Sequence, residues 1–290
     1  MNNFYLSFSE YTDPGLYKEY LKNEIPDNIK EIALLLRNQL IHRVVLRNGN
    51  DSPNSDFKYG DMNKVPWQRL RCEDDIFPTV SSMITELFRR DERGVVINRA
   101  EKDKMILTCR FISLLMASVL KSKNIPCRVR SGFVDYFFPK IYADHWINQY
   151  YNKELKRWVT IDVDGILEDV GFDALDMPED RFVFSCNAWL DTRQGRVKPN
   201  KFVNAGGFKG MQPILWELFY DFHCLMNYEN IYLHVPSFIY GNAYKKLSER
   251  DLKEIDNLAI LMKNPDDNFE KLQDIWNTNK KFRDLKGGVL

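Results

Sequence analysis

Between residues 104 and 165 the apolar positions change period, from helical to alternating. Met105, Cys109, Ile112, Met116 and Val119 recur at steps of three and four, which predicts one buried stripe along a helix. Thr108 is placed to cap that helix, putting Cys109 in the first turn, while Lys121, Lys123 and Asn124 mark the far end. From residue 126 the period is two: Cys127, Val129, Ser131 and Phe133 alternate with Arg128, Arg130 and Gly132, a half-buried strand. A second strand carries His145, Ile147, Gln149 and Tyr151 on one face, and a third carries Lys156, Trp158, Thr160 and Asp162. The polar run Asn152-Lys153-Glu154-Leu155 supplies the turn between them. Pairing Asn152 with Leu155 carries, by count, to His145 directly opposite Asp162. Opposed Cβ atoms lie about 4.5–5.5 Å apart, within reach of an imidazole–carboxylate contact. A slip of one residue would send one of the two to the other face.

Around this run the pattern predicts mostly helices. Residues 3–7 read as a strand and 15–23 as a short helix stopped at Ile25-Pro26. Asp27 caps a helix over 28–47, with Ile32, Leu35, Leu36, Leu40 and Ile41 at helical spacing and His42 packed close to that face. Residues 48–63 form a polar loop and 79–89 another helix, and 89–93 is a mixed-charge, solvated face. Downstream, 172–191 is mixed and 192–210 is a basic loop. Residues 211–228 form an aromatic helix lined by Leu215, Leu218, Phe219, Phe222 and Leu225, and 248–263 and 266–280 are two more helices. No repeat or low-complexity linker interrupts the chain. The expected architecture is a single α+β domain over 1–290, with a core at about 95–202, a helical part at 1–94 and another at 203–290.

A cysteine, a histidine and an aspartate in this order fit a thiol acyl-transfer site, as nucleophile, general base and orienter of the imidazole. A thiol in the first turn of a helix feels the positive end of the macrodipole, which favours the attacking thiolate over the unperturbed thiol of pKa about 8.5. A lone cysteine on an apolar helical face is more often core filler; the strand placement of His145 and Asp162 is what argues otherwise for Cys109. The aromatic loop 135–143 either walls the acyl site or covers a sheet edge. Tyr136, Phe138 and Trp146 are the expected substrate-lining residues. The Cys109 N–H is the expected oxyanion donor, with Trp67 and Trp146 as candidates for the second. Arg128 and Arg130 either bind an acidic group or pair internally, the second being the commoner use. His223 and Cys224 are adjacent on a helix and point about 100° apart, which makes a second dyad there poor geometry.

Composition narrows the classes. With 44% hydrophobic and 28% charged residues the chain is an ordinary globular one. Lys and Arg number 41, as do Asp and Glu, which speaks against nucleic acid as partner despite the locally basic stretches 89–104 and 193–209. Five cysteines at 72, 109, 127, 186 and 224 form no close pair, and an odd count suits a reducing, cytoplasmic setting. No CxxC or HExxH spacing occurs, so neither a metal nor a cofactor is expected. The first residues carry no basic region followed by an apolar run. No stretch approaches the roughly 18 apolar residues of a membrane span, so no membrane partner is expected.

The same residues carry a resemblance. Cys109-Arg110-Phe111 at a helix start, then Asn124-Ile125-Pro126-Cys127-Arg128-Val129-Arg130-Ser131-Gly132-Phe133, then Asp144-His145-Trp146 and Arg157-Trp158-Val159-Thr160-Ile161-Asp162, resemble the core of the transglutaminase-like superfamily. This papain-related clan includes transglutaminases, peptide N-glycanases and bacterial proteases. Phe172-Asp173-Ala174-Leu175-Asp176-Met177-Pro178-Glu179-Asp180-Arg181-Phe182 and Ala188-Trp189 extend the likeness toward bacterial stand-alone transglutaminase-like domain proteins. It covers about 101–202. Asn124 stands where that group often has glycine, a mild departure at a helix C-terminus. The resemblance implies a papain/transglutaminase-like core, a nucleophile helix packed on a small antiparallel sheet, with additional N- and C-terminal helices. It also implies a Cys109–His145–Asp162 triad acting by acyl transfer or hydrolysis at an amide or peptide bond through a thioester. The substrate would be a protein, a peptide or a small amide. The competing expectation is a non-catalytic scaffold of the same fold.

Overall fold

The structure, a computed structural model, describes residues 3–48, 61–138, 140–167 and 169–286. Most of the polar loop expected at 48–63, residues 49–60, lies outside the described residues. The protein is mixed α/β, with eight α-helices and nine short strands among the described residues. In chain order these are α1 (Lys18–Asn23), α2 (Ile29–Arg37), β1 (Leu40–His42), α3 (Val80–Arg90), β2 (Met105–Leu107) and α4 (Cys109–Ser122). Then come β3 (Cys127–Val134), β4 (Tyr142–Asn152), β5 (Arg157–Ile161), β6 (Val183–Phe184), α5 (Ser185–Arg193), β7 (Phe202–Val203) and α6 (Met211–Leu225). The chain ends with β8 (Val235–Pro236), α7 (Glu249–Met262), α8 (Phe269–Thr278) and β9 (Leu285–Lys286). It folds as two compact units. One is Asn2–Arg128 with Ile147–Met177; the other is Val129–Trp146 with Pro178–Leu290. The strands β3 and β4 each contribute residues to both.

In the first unit α4 is buried on every side, Arg110 and Lys121 included, and α1, α2 and α3 all pack against it. The single apolar stripe expected from the spacing is therefore too narrow a reading, and Met105 belongs to β2 rather than to the helix. A helix covered all round is a core helix, which explains its nearly unbroken apolar composition. The helix expected at 28–47 is also corrected. Asn28, not Asp27, caps α2, its Oδ1 accepting the N–H groups of Lys30 and Glu31. The helix stops at Arg37, and Leu40–His42 become a strand parallel to β2, with Leu40, Ile41 and His42 paired to Met105, Ile106 and Leu107. Gln39 makes the switch: its carbonyl accepts the Met105 N–H at 3.0 Å, and its Nε2 donates to the Leu35 and Val96 carbonyls at 2.6 Å each. Residues 4–6 form a 3-10 turn instead of a strand, seating Tyr5 edge-on against Trp158 with ring centroids 5.5 Å apart. The charge run at 89–93 is not wholly solvated either. Arg90 is buried between Glu73, at 2.7 Å, and Glu86, at 2.6 Å.

The β4–β5 hairpin has a different register from the one expected. Asn152 pairs with Arg157, Tyr150 with Val159 and Asn148 with Ile161, so His145 is not set directly opposite Asp162. The connection uses four residues, 153–156. Asn152 Oδ1 accepts the N–H groups of Glu154 and Leu155, each at 3.0 Å, and Lys156 adopts the left-handed conformation at φ 52°. An Asx turn of this kind holds a longer loop than a two-residue turn would.

In the second unit β3 pairs antiparallel with β6, Gly132 opposite Phe184, and β7 runs parallel to the start of β4, Tyr142 beside Phe202. The sheet is thus not purely antiparallel. All eight residues of β3 are buried, where a half-buried strand was expected. Its alternation reports arginines paired in the interior, not a wet face. Arg130 makes a two-pronged ion pair with Asp221 of α6, at 2.7 and 2.9 Å, and stacks over Phe184. Arg128, which belongs to the first unit, donates to Gln149 Oε1 at 2.9 Å and lies 4.2 Å from the Trp158 ring centre. Helices α5, α6 and α7 complete the core, with α8 against α7. No helix among the described residues is long and apolar enough to cross a membrane.

Candidate active site

Cys109 is the first residue of α4. The β2 strand delivers it: Leu107 ends the ladder with β1, Thr108 takes an extended conformation at φ −103°, ψ 178°, and the helix begins. Thr108 is the N-cap by backbone only, because its hydroxyl makes no capping hydrogen bond and its Oγ1 is buried without a hydrogen-bond partner. The first N–H groups of a helix have no acceptor in a preceding turn, so the positive end of the α4 dipole falls at Cys109. Arg110, the next residue, is fully buried; its guanidinium stacks over Tyr11 and Phe111 and donates to the Pro78 carbonyl at 3.4 Å. Nothing in the periodicity distinguished Arg110, which sits in an otherwise apolar stretch. Asp74, also buried, feels that cation and the Arg43 guanidinium at 2.7 Å, yet burial holds its carboxyl above the usual range.

Asp162 belongs to the same unit and is 1% exposed. Its N–H donates to the Ala174 carbonyl at 2.7 Å, and the Met177 N–H donates to the Thr160 carbonyl at 2.9 Å. The segment 174–177 thus runs along β5 and fixes the backbone at Asp162. The carboxylate Oδ1 accepts the Gly165 N–H at 2.9 Å. Asn148 is a further residue that the sequence reading passed over. Fully buried on β4, it donates through Nδ2 to the Ser113 carbonyl at 2.9 Å, one turn into the Cys109 helix.

His145 lies in the second unit and is buried. The Phe137 ring meets the imidazole edge-on at 5.0 Å between centroids, and Tyr136 does so at 6.4 Å. Phe137, not among the expected lining residues, is the nearer of the two rings. Phe138 is instead 51% exposed. Trp146 is a core residue of this unit, packed against Tyr220 and Tyr232 at 5.7 and 5.8 Å. Trp67, the other candidate oxyanion donor, is exposed. Asp144 accepts the Ala205 N–H at 2.8 Å. Glu217 is buried in α6, where burial and then the Asp144 charge raise its carboxyl well above the ordinary range; it accepts a hydrogen bond from Ser131.

The remaining histidines with sequence interest are committed elsewhere. His223 is buried and hydrogen-bonded through Nε2 to the Phe282 carbonyl at 2.8 Å, and burial pulls its pKa down to about 4. His42 lies 3.4 Å from Asp164. Among the described residues no group of three or more His, Cys, Asp or Glu is placed to hold a metal ion.

No known protein family and no curated protein matches the chain. One solved structure, described as that of a candidate cysteine protease from Cytophaga hutchinsonii, is similar over 62% of this chain at 14% identity with a TM-score of 0.34. The match spans 44% of that protein, less than half its length.

Proposed function

We propose that the protein is a cysteine enzyme of transglutaminase-like type, in which Cys109, His145 and Asp162 act as a triad on an amide or peptide bond. The observation that carries this reading is the position of Cys109 as the first residue of a wholly buried helix. That position favours a thiolate. The hydrogen-bonded burial of Asp162, a carboxylate suited to holding an imidazole tautomer, adds support.

In this mechanism His145 takes the thiol proton and the Cys109 sulfur attacks the acyl carbon. The carbonyl π pair moves onto oxygen, where the Cys109 N–H and the positive end of the α4 dipole stabilise the charge. The tetrahedral adduct collapses, the C–N bond breaks, and His145 returns the proton to the departing amine or ammonia, leaving a thioester. Water or an amine then attacks the thioester, His145 accepting its proton, and the C–S bond breaks to restore the thiol. Hydrolysis and transfer differ only in that second nucleophile.

Intact-mass spectrometry after incubation with a library of glutamine-containing peptides and simple amides tests the reading. An acyl adduct on wild type that is absent in Cys109→Ala is the expected result. If no substrate gives an adduct and Cys109→Ala keeps the cellular phenotype of the wild type, the scaffold reading replaces the enzyme.

A further inference from the structure

Asp164, two residues beyond Asp162, divides its carboxylate between two elements of the first unit. Oδ1 lies 3.4 Å from Arg37 Nε at the end of α2, and Oδ2 lies 3.4 Å from His42 Nε2 at the end of β1. Asp164 and Arg37 are buried, and His42 is largely so. Arg37 is held in turn by the first residue of β1, its Nη1 donating to the Leu40 carbonyl at 3.1 Å. The tautomer of His42 follows from its other nitrogen. The Val44 N–H donates to Nδ1 at 3.2 Å, so Nδ1 carries the lone pair and the ring proton sits on Nε2, facing Asp164. With Nδ1 accepting and Nε2 carrying its proton toward Asp164, His42 is a structural donor and not a base.

The elements joined here are those that deliver the proposed nucleophile and acid. His42 is level with Leu107 in the β1–β2 ladder, and Thr108 and Cys109 follow directly. Asp164 lies in the turn whose closing Gly165 N–H binds Asp162. One buried carboxylate therefore ties the turn that holds Asp162 to the strand pair that sets where α4 begins. A buried carboxylate that lost either partner would be left incompletely compensated, so the turn relaxes when an arm is removed. We infer that Asp164, held by Arg37 and His42, is a positioning residue that fixes Asp162 relative to Cys109. This rests on the triad reading above.

The test is the pH profile of Cys109 alkylation by iodoacetamide on the full chain, read by peptide mass, with thermal unfolding followed in parallel. Wild type should label Cys109 at about pH 6, below the range of an ordinary thiol. Asp164→Asn and His42→Leu should lose about tenfold or more of that low-pH rate and approach the profile of Asp162→Asn. His42→Gln, which keeps an N–H donor near Nε2, should stay close to wild type. The clamp is overturned if folded Asp164→Asn keeps the wild-type profile while Asp162→Asn loses it. Should Asp164→Asn fail to fold, equal profiles for His42→Leu and His42→Gln overturn it as well. A wild type whose Cys109 titrates like an ordinary thiol sinks the triad reading itself, a result separable from failure of the clamp.

Discussion

The Gly165 N–H donates to Asp162 Oδ1 at 2.9 Å, and the same glycine leaves no room for a side chain: a Cβ there would stand 2.8 Å from Asp162 Cγ and closer still to Oδ2. The contact that satisfies the carboxylate is thus possible only because residue 165 is glycine. Gly165→Ala must push the carboxylate aside or open the turn. An error of about 1 Å in such a group costs on the order of 10²-fold in rate. We expect acyl-enzyme formation by Gly165→Ala to fall by about that factor while far-ultraviolet circular dichroism is unchanged. Wild-type rates in a folded Gly165→Ala protein would remove Asp162 from the mechanism.

Cys109 should be the first of the five thiols to react. Burial, with Asp74 adding to it, pushes the Cys72 thiol up to about 12, and burial with Asp221 does the same to Cys186. Cys127 and Cys224 are buried in the core. Brief iodoacetamide treatment at about neutral pH, followed by peptide mapping, should mark Cys109 well before the others. Preferential marking of Cys72, the one half-buried thiol, would mean that exposure and not activation governs reactivity.

The start of α4 and the strand Arg157–Ile161 were legible because the apolar period changes from helical to two in this part of the chain, although that strand ends one residue short of Asp162, which was expected on it. The register between β4 and β5 was not. Replacing a two-residue turn by the four-residue loop 153–156 moves the pairing by two positions. An even shift leaves every side chain on its own face, so alternation cannot detect it. The Asn152 side chain that selects the longer loop is legible only once the turn is known. Leu40 and Ile41 misled for a related reason. They continue the helical spacing of α2, but strand pairing with Met105 and Ile106 claims them, and no local signal announces a partner more than sixty residues away. Arg90 looks like surface charge in the sequence, but its side chain is covered because Glu73 and Glu86 meet it, whereas the internal pairing expected for Arg130 is made with Asp221.

Stability should fall in mild acid because of His223. Its pKa is pulled from 6.5 to about 4 by burial, the Nδ1 that a second proton would occupy being enclosed without an acceptor. A base whose folded pKa is depressed gives stability above its unfolded value and loses it as pH falls toward the folded one. The window is therefore pH 6.5 down to about 4, and the contribution is on the order of 3 kcal/mol. Urea unfolding across that window should give a slope that His223→Gln flattens, since glutamine can keep the bond to the Phe282 carbonyl without titrating. An unchanged slope in His223→Gln would assign the acid sensitivity to other groups.

Glu217 should act in the opposite direction. Its carboxyl is raised well above 4.5, first by burial and then by Asp144. A raised folded pKa gives stability that is complete below the unfolded value and is lost as pH rises through the folded one. Glu217→Gln, which keeps the shape and accepts the Ser131 hydrogen bond, should therefore leave stability near pH 4 little changed and increase it relative to wild type on the alkaline side. Melting temperatures of both proteins from acid to alkaline pH decide it; parallel curves would show that Glu217 binds no extra proton in the folded state.

The Arg130–Asp221 pair organises the second unit. Asp221 receives Arg130 Nε at 2.7 Å and Nη2 at 2.9 Å, the Ser131 N–H at 3.1 Å and the Ser185 hydroxyl at 3.1 Å, so one carboxylate joins β3, the start of α5 and α6. Both charges are buried, which makes their attraction large and their desolvation costly in the same measure. Removing one partner leaves the other charge stranded: Asp221→Leu and Arg130→Met should each destabilise by about 3–5 kcal/mol in denaturant unfolding. The double variant strands no charge and puts apolar volume in place of the pair, so its loss should be far smaller than the two single losses added together. Additive losses would mean that Asp221 matters through its bonds to Ser131 and Ser185 and not through the charge of Arg130. Because the strand that carries Arg130 leads into Tyr136 and Phe137 against His145, the single variants should also broaden the His145 imidazole resonance in proton NMR, and the double variant should restore it.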